Sequence, residues 1–85
     1  MPLSPDSLLG GTAMSRLKQL RKARGYSQVR IQMLTGIDQS DYSKLETGKR
    51  AMSFEQCRRL AVALETSMDY LAGLTDEPAP YPRSL

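Results

Sequence analysis

Ser27-Gln28-Val29-Arg30-Ile31-Gln32-Met33-Leu34-Thr35-Gly36-Ile37-Asp38-Gln39-Ser40-Asp41-Tyr42-Ser43-Lys44-Leu45-Glu46-Thr47 is the stretch that decides the fold. Its first half is ambiguous by period alone, because Val29, Ile31 and Met33 alternate with Arg30 and Gln32 as the two faces of a strand would. Other signals choose helix. Ser27 can accept from the orphan amides of a first helical turn, Gly36 can stop the run, and no partner strand is recognisable elsewhere. That choice leaves Val29 and Met33 partly exposed. The second half reads as a helix capped by Asp38 and running to Thr47, with Gly48 placed to take the left-handed conformation that ends it and Tyr42 and Leu45 facing inward.

The join between the two helices, Gly36-Ile37-Asp38, carries the functional expectation. A short turn containing glycine sets two helices at a steep angle, so that the first can cross the phosphate backbone of a duplex while the start of the second enters the major groove. Side chains early in the second helix must then be polar, and Gln39, Ser40, Asp41, Ser43 and Lys44 all are. Gln pairs bidentately with adenine, Ser with several bases, Asp accepts from cytosine, and Lys donates to guanine or to a phosphate.

Working outward, a first helix is expected from about Ala13 to Arg24, with Ala13, Leu17 and Leu20 on one face and Gly25 to end it. In the fourth, Ser53 and Gln56 have capping-box spacing, and Phe54, Cys57, Leu60, Ala61 and Leu64 form the apolar stripe. The fifth is short, from Ser67 as cap through Met68, Tyr70 and Leu71 to Gly73. Met52 and Met68 are assigned to core or interface. The expected architecture is therefore all-α, with five helices in a domain spanning 13–74. A Pro- and Gly-containing leader over 1–12 precedes it, with Met14 as an alternative start, and a proline-rich tail or docking arm over 75–85 follows it. Tyr81 in that tail suggests no role.

Composition narrows the function classes. At 85 residues the chain suffices for one compact domain, since a chain this size buries only about three-fifths of its unfolded surface. Apolar residues make up 40% and charged residues 25%, ordinary values for a folded domain. The net charge of +3 is polarised: from Arg16 to Arg50 nine basic residues stand against three acidic ones, a local excess of +6, and the remainder carries −3. A one-sided basic region of this kind attracts a polyanion. Cys57 is the one cysteine and there is no histidine, so no internal disulfide, no metal site and no cofactor are expected. Cys57 on the apolar stripe reads as structural, and Tyr42 as core rather than as a base-stacking aromatic. With no glycine-rich phosphate cradle and no nucleophile beside a base, an enzyme is not expected. With no apolar run long enough to span a bilayer and no signal-peptide pattern, a cytoplasmic, nucleoid-associated location is.

Taken together, Arg16-Leu17-Lys18-Gln19-Leu20-Arg21, Gly25-Tyr26-Ser27-Gln28, Thr35-Gly36-Ile37, Ser43-Lys44-Leu45-Glu46-Thr47-Gly48-Lys49-Arg50 and Thr66-Ser67-Met68-Asp69-Tyr70-Leu71 resemble the Cro and lambda-repressor type of helix-turn-helix regulators, the XRE family. The resemblance covers about Arg16 to Leu74. It implies a five-helix lambda-repressor-like domain that binds double-stranded DNA, usually as a dimer, and most often represses transcription. It implies a phosphate contact for Gln28, base reading for Gln39, Ser40 and Lys44, and base or phosphate contacts for Asp41 and Ser43. Lys49 and Arg50 match residues that hold the DNA backbone, and Arg21 and Glu46 match a structural ion pair. Two positions depart from the family pattern. Gln32 stands where alanine is usual, which requires either looser packing or an outward amide, and Asp38 caps the third helix where serine or threonine is more common.

The leading expectation is a sequence-specific repressor acting as a homodimer on a palindromic operator, because one recognition helix reads too few base pairs to be selective in a genome. Its dimer interface is expected on the fourth and fifth helices, with the proline tail adding contacts. Two alternatives use the same fold: an antitoxin that contacts a toxin through Val29, Met33 or the tails and regulates its own operon, and a protein-interaction adaptor that binds no DNA.

Overall fold

A computed structural model describes residues 15–81; the expected leader over 1–12, Ala13 and the last four residues of the tail lie outside the described residues. Among the described residues five helices follow one another, α1 (Arg16–Ala23), α2 (Gln28–Thr35), α3 (Gln39–Glu46), α4 (Phe54–Ala63) and α5 (Met68–Ala72), and there is no strand. Each has a side-chain N-cap, from Ser15, Ser27, Asp38, Ser53 and Ser67 in turn. In α4 the cap is reciprocal: Gln56 N donates to Ser53 Oγ at 3.1 Å and Ser53 N donates to Gln56 Oε1 at 2.9 Å. The first helix starts at Arg16, later than the expected Ala13, because Ser15 is already extended and its side chain accepts from Lys18 N.

The core is drawn from every helix and from the turn between α2 and α3: Leu17, Ile31, Ile37, Tyr42, Leu45, Cys57, Leu60, Ala61, Leu64 and Leu71. Leu20, Tyr26, Met52 and Met68 pack against it from the rim. The ambiguous period of α2 now has an explanation. Ile31 and Thr35, spaced i and i+4, are its buried residues, while Val29 and Met33 face away, so the apparent alternation is a helix with a single narrow inward ridge. Phe54 corrects the expected stripe of α4. It is 74% exposed, because as the first residue of the helix its side chain leans back over the preceding turn, past the edge of the core.

Long side chains close the gaps between helix ends. Arg24, at the end of α1, donates from Nε to Leu64 O at 3.0 Å and from Nη2 to Glu65 O at 3.2 Å, satisfying carbonyls that α4 leaves open. Arg59 Nη1 does the same for Thr35 O at the end of α2, at 3.2 Å. The proline-rich segment is docked as far as Tyr81. Arg16 Nη1 donates to Thr75 O at 2.6 Å and Nη2 meets Asp76 at 2.8 Å, Thr66 Oγ1 donates to Pro78 O at 2.6 Å, and the Tyr81 hydroxyl donates to Asp69 at 2.5 Å. Arg16 also lies 4.2 Å from the centroid of the Tyr70 ring, a cation–π contact.

Two features of the fold set its measurable stability. Glu65 adopts φ 55° just past α4, where Thr66 N reaches Ala61 O at 2.9 Å, so it holds a helix-terminating position that costs an L-residue with a side chain conformational energy. Glu65→Gly should raise stability by about 0.5–1 kcal/mol in chemical denaturation, the relief of strain exceeding the added flexibility of the unfolded chain. The second concerns acid. Burial pushes the Glu46 carboxyl up, yet hydrogen bonds from Arg21 and Gln28 outweigh it and leave it below its ordinary value of 4.5. Its stabilisation is therefore present above that value and lost as pH falls below it, which thermal melts should show as a declining midpoint. Glu46→Gln should flatten the decline while costing on the order of 3 kcal/mol at neutral pH, because Arg21 is left buried without its counter-charge.

Candidate nucleic-acid interface

The site is built from the turn upward. Gly36 takes φ +76°, a conformation open to glycine, and its N–H closes on Gln32 O at 2.8 Å. Thr35 Oγ1 donates back to Ile31 O at 2.7 Å and accepts from Ile37 N at 3.1 Å, which leaves Ile37 free to drop its side chain into the core. The turn is fixed from both sides. The chain therefore enters α3 in one orientation.

The first two amides of α3 are each bonded to a side chain. Asp38 accepts from Ser40 N at 3.0 Å, and Gln32, one turn earlier in space on α2, accepts from Gln39 N at 2.8 Å. Gln32 is exposed, the outward amide that its departure from alanine allowed. Its carbonyl oxygen supplies a second cap. Asp38 also receives the Ser40 hydroxyl at 2.5 Å, and this bond holds its carboxyl below its usual range. With its proton committed, Ser40 faces outward as an acceptor.

Below the exposed turn runs a chain of hydrogen bonds. Arg21 Nε donates to Glu46 Oε2 at 2.6 Å and Nη2 to Glu46 Oε1 at 3.3 Å, while Nη1 reaches Tyr26 O at 2.9 Å. Gln28 Nε2 donates to Glu46 Oε1 at 3.1 Å, and Gln39 Nε2 donates to Gln28 Oε1 at 3.5 Å. The side chains of Arg21 and Glu46 are 11% and 3% exposed. The Tyr42 hydroxyl is buried beside them without a hydrogen bond of regular geometry. Gln28 is therefore half-buried and tied to the protein, though the resemblance had implied a phosphate contact for it.

Gln28, Gln39, Ser40, Ser43, Lys44, Thr47 and Lys49 line one surface concavity. Six of the eight residues singled out from the sequence lie on it, and Asp41 and Arg50 do not. Those two meet each other instead, Arg50 Nη1 donating to Asp41 Oδ1 at 3.1 Å. Thr47 was not singled out from the sequence; it is the C-cap of α3 and still helical in backbone, so its place on the same rim as Lys44 follows from their i, i+3 spacing, a signal that was available. Among the described residues neither Lys44 nor Lys49 forms an ion pair. No described helix is long and apolar enough to cross a membrane.

Comparison with known proteins agrees with this geometry. The helix-turn-helix family profile matches residues 17–71. The chain is 35% identical over 65 residues, covering 76% of itself and 58% of the relative, to an uncharacterized HTH-type transcriptional regulator, YobD, of Bacillus subtilis (strain 168). It is 38% identical over 56 residues, covering 66% of itself and 52% of the relative, to an uncharacterized HTH-type transcriptional regulator, YonR, derived from the SPbeta prophage of the same strain. The chain spans little more than half the length of these curated relatives. No solved structure matches. A matched segment that begins in α1, ends in α5 and contains the whole of the capped two-helix unit leaves one assignment: the chain belongs to the XRE-type helix-turn-helix family.

Proposed function

We propose that the protein is a sequence-specific regulator of transcription that binds double-stranded DNA with α3 in the major groove and represses from a palindromic operator as a homodimer. The observation that carries this is the concavity at the start of α3, where polar side chains are exposed on a backbone whose own amides are already capped.

The hydrogen-bond chain supports a particular role for Gln39. One of its amide protons goes to Gln28, so its carbonyl oxygen and remaining N–H are left side by side, the pattern that matches the N6 and N7 edge of adenine. Ser40 as an acceptor suits an exocyclic amine. Lys44 reaches for guanine or a phosphate, and Lys49, past the helix, for the strand. Ser43 and Thr47 supply hydroxyls on the same wall. Self-association through α4 and α5, with the tail adding contacts, is supported by the exposed apolar side chains of Phe54 and Val62 on α4 and of Leu74 just past α5.

Selection from random duplex DNA followed by sequencing should return two inverted half-sites about one helical turn apart. Against the selected site, Gln39→Ala should lose about 1–3 kcal/mol and relax preference at one base pair per half-site. Lys49→Ala should weaken all sequences alike and lower the salt dependence by about one charge. Uniform losses from both variants would remove the base-reading role of Gln39. Binding that ignores ionic strength would remove DNA as the partner and favour the adaptor.

A further inference from the structure

We propose that Asp41 is an electrostatic gate on Arg50, keeping that arginine neutralised in the free protein so that DNA lacking the operator sequence gains nothing from it. The inference deepens the DNA-binding reading and rests on it. Asp41 sits in the first turn of α3 among the polar residues of that face, and Arg50 follows the helix beside Lys49, which forms no ion pair among the described residues. The two are joined at 3.1 Å across nine positions of sequence, with side chains 40% and 50% exposed.

Stability does not account for the pair. An ion pair this exposed contributes about 0–1 kcal/mol and is screened by salt. A carboxylate beside a polyanion is moreover repelled by it, so placing Asp41 in the leading turn opposes binding. Both facts fit a device that lowers affinity for DNA at large. Through phosphate contacts, each available cation adds the same increment to every sequence, operator or not, whereas discrimination comes from base edges. Masking one cation therefore lowers the non-specific background. Among the described residues Asp41 engages only Nη1 of the guanidinium, so its remaining donors can still take a phosphate when α3 is seated closely enough for the strand to compete with Asp41.

The experiment measures binding of the full chain to a random-sequence duplex as a function of salt, with Asp41→Asn, Arg50→Ala and the double variant. Asp41→Asn frees one cation, so log K against log salt should steepen by about 0.9 and affinity should rise several-fold at 50 mM salt. The double variant should return to the wild-type slope, because the gain passes through Arg50. Asp41→Ala should behave as Asp41→Asn, which excludes an effect peculiar to the new amide. An unchanged or shallower slope in Asp41→Asn overturns the gate, and so does a gain that survives Arg50→Ala. Wild-type protein that retains no duplex even at low salt would instead overturn the DNA-binding reading itself.

Discussion

The ion pair between Arg21 and Glu46 is the constraint on which the arrangement turns. It joins α1 to the last residue of α3, and through Nη1 it also holds the carbonyl of Tyr26 in the loop that leads into α2. A nearly buried pair returns little net stability against well-packed apolar residues of the same size, because desolvation offsets most of the attraction. Its value here is directional. The bidentate fork fixes where Glu46 presents its remaining lone pairs, Gln28 is oriented by one of them, and Gln39 by Gln28. The exposed Gln39 side chain is thus aligned, through Gln28 and Glu46, by the charge of Arg21 on α1.

Cations in this chain divide by chemistry as well as by position. Arg16, Arg21, Arg24 and Arg59 each spread donors over more than one acceptor or cap a helix end, using the planar fork that lysine lacks. Lys44 and Lys49 stay unpaired among the described residues, compact charges on flexible stems suited to a phosphate whose position is not fixed in advance. The excess of +6 between Arg16 and Arg50 consequently overstates what a polyanion meets at the groove. Three of the arginines in that segment are committed to helix ends, loops or Glu46, and Arg50 is held by Asp41.

Most of the fold was legible because it rests on local signals: serine and aspartate caps, glycine stops, and i, i+4 stripes in α1, α3 and α4. These act within one turn of helix and survive in the sequence as spacing. What was not legible depends on residues far apart in the chain. Nothing near Asp41 in sequence pairs it with Arg50, and nothing near Arg24 says that its guanidinium will cap α4 forty residues on. Phe54 has the spacing of a core residue and fails to be one because the stripe outlasts the surface that covers it. For the site, residue types were readable and commitments were not: Gln28 and Ser40 are as polar as expected, but the Ser40 hydroxyl proton and one Gln28 amide proton are engaged within the protein.

Gln32 shows how these levels combine. Alanine at this place lets two helices approach, and a longer side chain would ordinarily force them apart. Here the extra length is used to reach the amide of Gln39, so the first peptide of α3 is bonded to α2 and the second to Asp38. A helix end with free amides would have to keep water or find partners on binding. Because this one is satisfied beforehand, its side chains can be fully exposed without the backbone fraying beneath them. Ordering an exposed side chain at an interface costs about 0.5–1.5 kcal/mol, so a leading turn already held at Gln39 N, Gln39 Nε2 and Ser40 N would spend less of the contact energy of any complex on ordering.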